Sequence, residues 1–392
     1  MCDIASLHRQ EHGVAPDIVV TAPGVVPCLG LHTEATGGLG FLLGIDERAS
    51  VAVSRRTDGS MRLYAADLGE RKRTSSSALR FRPDTRYAGV AKGVLLRLRM
   101  LGADVGGLDA TISSSIPPDV GLGSSQAIAV AFTRACADLF EHRVTAIETA
   151  SIAHYSERSF LNVYSCLSGF LGSTLVSDRS GLLLDMREVD WESVPLGPFA
   201  DRFSLILTEA PSALTGQDKT TRDTLCEECL LLLTGKGTGC SFQEITSDDL
   251  TEALGTVPEQ SRRWCRYLIE ENQRVHRFVC AVEEDDPKLA GAILTQAHEG
   301  LSDLYEASSP ELDWLVKHVH EVAGVHGARS IGGSKHTAVI VLHDAVSTGE
   351  LDTRLAEYEH IFGFRASLMP VRTDGGLRVE PGRGCEDPAY KR

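Results

Sequence analysis

No apolar run in the 392 residues reaches the roughly 18 that a membrane-spanning helix needs. The opening MCDIASLHRQEHG has no apolar core behind a basic start, so it does not read as a secretory leader. Basic charge is in short supply. Lys and Arg number 39 against 54 Asp and Glu, a formal charge of −15. Such a surface repels a phosphate backbone and argues against nucleic acid as a general partner. Internal repeats and long low-complexity tracts are absent. The ten cysteines are scattered through a long chain and do not read as a disulfide framework. Reduced thiols in a cytoplasmic protein are the expectation. Cys226 and Cys229 form a CxxC, yet neither a second CxxC nor HxxxH follows to complete a zinc set. The segment TTRDTLCEECLLLL has helical spacing, which predicts two cysteines on one helix.

What is present is an ordinary globular composition, 42% hydrophobic. That excludes disorder as the main state. At ~100–200 residues per domain the length suits two domains. IVVTAPGVV, LGFLLGI, ASVAVS and MRLYAADL read as strands, and RKRTSSS at 71–77 as a solvated loop. AKGVLLRLRMLGA, AIAVAFTRACADLF and VTAIETASIAHYSERSF read as helices. DATISSSI, SGLLLDM and FSLILTEA read as further strands. REVDWESVPLGPFADR has no periodicity and is the candidate boundary, giving domains 1–195 and 196–392. Beyond it helices are predicted over 218–233, 248–284, 286–306 and 310–324, with late strands HTAVIVL and RASLMPV. The class is α+β in two lobes.

The most informative segment runs Pro117-Pro118-Asp119-Val120-Gly121-Leu122-Gly123-Ser124-Ser125-Gln126-Ala127, between a strand and a long apolar helix. Gly121 and Gly123 permit close backbone approach to a ligand. The helix directs free N–H groups and a positive dipole end at the loop, which suits phosphate. Ser124 and Ser125 can donate to phosphate oxygens, and a serine oxygen can also reach Mg²⁺. The plainer alternative is a serine N-cap after a glycine turn. The loop is not of the Walker type: there is no GxxxxGK[ST], and Gly235–Gly239 reads as a flexible loop.

PxxxGLGSSxA resembles the second signature of the GHMP small-molecule kinases, the superfamily of galactokinase and homoserine kinase. Two further segments agree in order. Ala22 to Gly38, APGVVPCLGLHTEATGG, resembles the galactokinase signature APGRVNLIGEHTDYNGG. Gly327 to Gly333, GARSIGG, resembles the third signature, GARMTGG. The resemblance spans about residues 15 to 380 and falls in the galactokinase branch.

The resemblance implies a two-lobed fold. An N-terminal α/β lobe, of the kind seen in ribosomal protein S5, would hold the nucleotide, and a C-terminal ferredoxin-like lobe would close the cleft. It implies ATP with its phosphates on Gly121, Leu122, Gly123, Ser124 and Ser125, and Mg²⁺ held by Ser125 and Glu157. It also marks departures. The family's charge-stabilising Arg matches Val25. The Asp that orients or deprotonates the reacting hydroxyl, in the run GIMDQ, matches Gly169 of CLSGF. The sugar-binding Glu matches Leu31, the Asp of GEHTDY matches Glu34, and a C-terminal-lobe tyrosine matches Lys219. His32 and Thr33 remain. With Gly333 they complete the implied substrate pocket of Leu31, His32, Thr33, Glu34 and Gly333. The third signature is two residues shorter, and Lys335 is a candidate to supply charge there.

Removing a general base commonly costs about 10²–10⁴ in rate. Each sugar hydroxyl left unpaired costs ~1–3 kcal/mol. The resulting expectation is a nucleotide-binding protein with weak or absent galactose phosphorylation, acting as a sensor or with a protein partner if it is regulatory. The alternatives are an active ATP-dependent kinase on another small molecule, or a galactokinase with substitute groups. Glu34 and His32 are the nearest candidate bases.

Overall fold

The computed structural model describes residues 3–81, 86–235, 240–252, 257–344 and 348–381. In the first half of the chain the elements are α1 (Ile4–His12), β1 (Ile18–Leu29), β2 (Leu39–Arg56), β3 (Ser60–Ala65), β4 (Glu70–Ser75), α2 (Arg86–Met100), β5 (Gly107–Ser114), α3 (Ser124–Leu139), α4 (Ala146–Tyr155), α5 (Leu167–Leu175), β6 (Ser180–Asp185) and β7 (Asp190–Pro195). In the second half they are β8 (Phe203–Pro211), α6 (Gly216–Thr234), α7 (Ser247–Glu252), α8 (Glu259–Glu283), α9 (Pro287–Asp303), α10 (Pro310–His320), β9 (Val325–Gly332), β10 (His336–His343), α11 (Thr348–Phe362), β11 (Ala366–Pro370) and β12 (Arg378–Pro381).

Two sheets organise this mixed α/β chain. The larger runs β12-β1-β2-β5-β3-β4, with β6 also on β2 and β7 on β6. The smaller runs β11-β8-β10-β9 and is antiparallel throughout. The predicted strands LGFLLGI and ASVAVS are one 18-residue strand, β2. Each half has its own partner: Leu39–Leu43 pair with β6, and Ala49–Arg56 with β5. The final strand, β12, returns to pair with β1, so the larger sheet takes a strand from the far end of the chain.

Two expectations fail for one physical reason. RKRTSSS, predicted as a loop, lies mostly in edge strand β4, and the aperiodic boundary segment contains strand β7. Both are largely exposed edge strands, so burial does not impose alternation on them. The predicted helix 248–284 is two helices, α7 and α8, with 253–256 outside the described residues. SERSF closes α4 with a π-helical turn at Ser156–Phe160. Of the predicted glycine-rich loop, 236–239 lie outside the described residues. Cys226 and Cys229 are both buried on α6, in one core cluster with Cys265 of α8. Among the described residues no helix is long and apolar enough to cross a membrane.

Helix α1 seats His8 in the larger sheet, fully buried. Its Nε2 lies 2.9 Å from the Ser54 hydroxyl and its Nδ1 3.1 Å from the Thr111 hydroxyl. Burial, reinforced by His12, lowers its pKa to about 4. Between about pH 6.5 and 4 the unfolded chain therefore binds a proton that the folded chain does not. Stability rises with pH across that window, by about 3 kcal/mol at most from this group. His8→Asn should flatten that part of the stability–pH curve. Chemical denaturation at pH 4.5 and 7 checks it, and an unchanged slope would refute this origin.

Candidate functional site

The loop between β5 and α3 is shaped by three left-handed residues: Asp119 (φ 66°), Gly121 (φ 90°) and Gly123 (φ 72°). Gly123 is the N-cap of α3, and among the described residues no side chain bonds the first-turn N–H groups. The serine N-cap allowed by the sequence is therefore not the arrangement found. The loop is held from below by the Val25 N–H, which donates to the Leu122 carbonyl at 3.0 Å. From above it is held by the segment after β9. A Cβ on Gly121 would sit 2.0 Å from the Gly332 carbonyl oxygen, so only glycine permits that approach.

Ser125, exposed on the first turn of α3, lies beside the carboxyl of Glu157 on the π turn. Glu157 is 6% exposed. Burial raises its pKa, against the lowering effect of the Ser125 hydroxyl. The sequence keeps these residues 32 positions apart; the packing of α3 against α4 brings them together.

Val25 packs on α5, the helix that carries Gly169, and a third residue lies against Gly169. Val25 is 3% exposed. A Cβ on Gly172 of α5 would meet its Cγ1 at 2.9 Å. A Cβ on Gly169 would meet the Gln126 side chain at 3.1 Å. Gln126 falls at a wild-card position of the motif, and its spacing carried no signal.

The residues from the Leu31–Glu34 stretch serve the backbone or the core. Leu31 packs against the α6–α8 core cluster, and its carbonyl accepts from the Tyr267 hydroxyl at 3.2 Å. His32, at φ 68°, stacks on Tyr305 with ring centroids 4.5 Å apart. Burial, then the cations Lys219, Arg222 and Arg329, hold its pKa well below the usual histidine value. The Thr33 hydroxyl is 2.9 Å from the Gly30 carbonyl and 2.8 Å from that of Leu39, a structural use. The Glu34 carboxylate caps α5, accepting the N–H of Leu167 at 2.5 Å and of Ser168 at 2.9 Å. It thereby orients the helix that carries Gly169.

Lys335 pairs with a residue of the loop itself. Its ammonium donates to the Asp119 carboxylate at 2.7 Å, and the Ser334 hydroxyl does so at 3.0 Å. Both partners hold Asp119 below the usual carboxylate range. The shortened third signature is thus clamped onto the glycine loop. The carbonyl of Gly333 instead receives Lys219 Nζ at 3.2 Å and the Ser212 hydroxyl at 3.1 Å.

Lys219 belongs to a half-buried polar cluster that the sequence only hinted at. Its Nζ lies 5.8 Å from the Tyr164 ring centroid. The Tyr164 hydroxyl bonds Asp223 and accepts from the Cys166 thiol at 3.6 Å. Burial pushes Asp223 up to about 6, with Glu227 and Glu34 adding to it against Tyr164. Burial lowers Lys219. The i, i+4 spacing of Lys219 and Asp223 on α6 was the signal available in the sequence.

The GHMP kinases N terminal domain matches residues 89–170, the stretch that holds the glycine loop and Glu157. A galactokinase of Roseiflexus is 28% identical over 373 residues, covering 94% of each chain. A galactokinase of Streptomyces coelicolor is 29% identical over 342 residues, covering 86% of this chain and 87% of its own. The crystal structure of Lactococcus lactis galactokinase complexed with galactose superposes with a TM-score of 0.88 at 22% identity, over 96% of this chain and 98% of that one.

Proposed function

We propose that the chain is a divergent member of the galactokinase family of GHMP kinases, that it binds Mg-ATP at Gly121–Ser125, and that it phosphorylates galactose weakly or not at all. The observation that carries the nucleotide half is the contact of Ser125 with the desolvated Glu157 carboxyl, beside the uncapped N-terminus of α3. A hydroxyl and one carboxylate suit Mg²⁺, which completes its octahedron with phosphate oxygens and water. When bound, the ion neutralises phosphate charge at the transfer. The loop N–H groups and the α3 dipole favour the phosphates themselves.

The weak half rests on Val25 and Gly169. Neither carries a charge or a base, and a general base commonly supplies about 10²–10⁴ in rate. Phosphoryl transfer otherwise depends on positioning and electrostatics, which the loop retains. The Lactococcus relative is described with galactose bound; here Leu31 turns to the core and Thr33 to the backbone, which leaves fewer groups for sugar hydroxyls. We place the protein in the cytoplasm, with a nucleotide and a small molecule as ligands. Lys219 and Asp223 favour a second reading, an active kinase on a different small molecule, because burial pushes Asp223 up to about 6 and Lys219, one turn away on α6, reaches the Gly333 carbonyl at 3.2 Å.

The test is thermal unfolding with Mg-ATP and with galactose, beside an assay for sugar-1-phosphate. Mg-ATP should raise the midpoint, by ~2.7 kcal/mol of stability at a hundredfold excess over Kd. Ser125→Ala and Glu157→Gln should each remove most of that gain. Galactose should yield product at least ~10²-fold more slowly than an ordinary kinase. No Mg-ATP shift, or galactose turnover at an ordinary rate, overturns the reading.

A further inference from the structure

Resting on the kinase reading above, we propose that Gln126 is the residue that meets the phosphoryl acceptor: its carboxamide fills the space left by Val25 and Gly169 and orients a neutral hydroxyl there. Gln126 follows Ser125 directly on the first turn of α3, so its backbone is set by the glycine loop. Its end is bracketed on two sides. A Cβ on Gly169 would lie 3.1 Å from Cδ and Nε2 and 3.2 Å from Oε1. A Cβ on Gly123 would lie 3.0 Å from Oε1. Val25 flanks Gly123, its Cβ 3.9 Å from that same added Cβ position. Glu34 sets the height of the α5 wall by capping the helix at Leu167 and Ser168.

The position is therefore occupied by a polar group rather than merely vacated. A carboxamide offers one acceptor and two donors and carries no charge. It can accept the hydrogen of a hydroxyl and hold the oxygen in line, but it cannot take the proton. Glutamine orients the nucleophile in this way in other phosphoryl transfers. The acceptor it suits is a neutral alcohol, or water, with an apolar flank toward Val25. In the step served, the hydroxyl oxygen bonds to the γ-phosphorus of ATP. The bond from that phosphorus to the bridging oxygen breaks, ADP leaves, and the hydroxyl proton passes to solvent.

The experiment measures transfer from Mg-ATP to water and to galactose in the full chain and its variants. Gln126→Glu keeps the shape and adds a base. It should raise transfer about tenfold or more, with the rate climbing with pH as the new carboxyl ionises. Gln126→Ala should lower transfer to water. Equal rates and equal pH profiles for all three proteins overturn the proposal. A thermal cycle tests the packing separately. Gly169→Asp should lower the midpoint more with Gln126 present than in Gln126→Ala, and additive effects also overturn it. Failure of the nucleotide reading would show differently, as no Mg-ATP shift in the parent protein.

Discussion

Glu271→Gln lowers the stability of this protein by about 3–5 kcal/mol, the range for breaking a buried ion pair from one side. Glu271 of α8 and Arg329 of β9 have fully buried side chains and meet at 2.7 Å. The same Glu271 oxygen accepts the Gly30 N–H at 2.9 Å, and Arg329 donates to the Cys28 carbonyl at 3.1 Å. Arg274 donates to the second Glu271 oxygen at 3.0 Å. Burial alone would raise the Glu271 pKa, but Arg329 and then Arg274 override it and hold the carboxyl below its ordinary value. Three segments distant in sequence meet at one carboxylate: the end of β1, helix α8 and strand β9. Glutamine leaves the Arg329 guanidinium with no counter-charge in the interior, while Arg274 keeps the Glu270 carboxylate at 2.7 Å. The double variant Glu271→Leu/Arg329→Met should recover much of the loss, because an apolar replacement of both partners removes the orphaned charge. Denaturant titration of parent, single and double variants measures this. A single variant as stable as the parent would refute it.

Gly121→Ala carries the second large effect and strikes the site itself. The residue holds φ 90°, where a side chain is strained, and the added Cβ would meet the Gly332 carbonyl oxygen at 2.0 Å. That oxygen is backbone and not a flexible side-chain end, so a backbone must shift. Strain and overpacking together cost about 2–4 kcal/mol. The shift moves Gly332–His336, whose clamp runs through the Asp119 carbonyl to the N–H groups of Lys335 at 3.3 Å and His336 at 3.1 Å. Midpoint stability should fall and the Mg-ATP-induced gain should disappear with it. Gly123→Ala is the comparison. Its nearest neighbour is the movable Gln126 amide, so its cost is chiefly backbone strain. Equal losses at both positions would refute the role given to the Gly332 carbonyl.

Both effects come from contacts that sequence spacing does not encode. The glycine loop was legible because local backbone freedom beside a helix start is something three or four adjacent letters can express. The strands of the larger sheet were legible wherever one face is buried, since alternation follows from burial. Strands β4 and β7 were not, because an exposed edge is defined by its partner's hydrogen bonds and not by its own side chains. Glu34 shows the same division on a single residue. Its place in the motif suggested a ligand group, yet its carboxylate caps a helix that begins 133 positions later.

By itself the sequence carried the resemblance to the family signatures, a glycine loop before a helix start, and uncharged residues at positions 25 and 169. Those are statements about residue type in local order. Only the tertiary structure decided that Gln126 lies beside Gly169, that Lys335 pairs with Asp119, and that Ser125 lies beside Glu157. Each depends on the distance between elements far apart in the chain, and that distance is set by packing. Gln126 reaches Gly169 because α3 and α5 lie against β1 at a spacing that Val25 and two glycines allow.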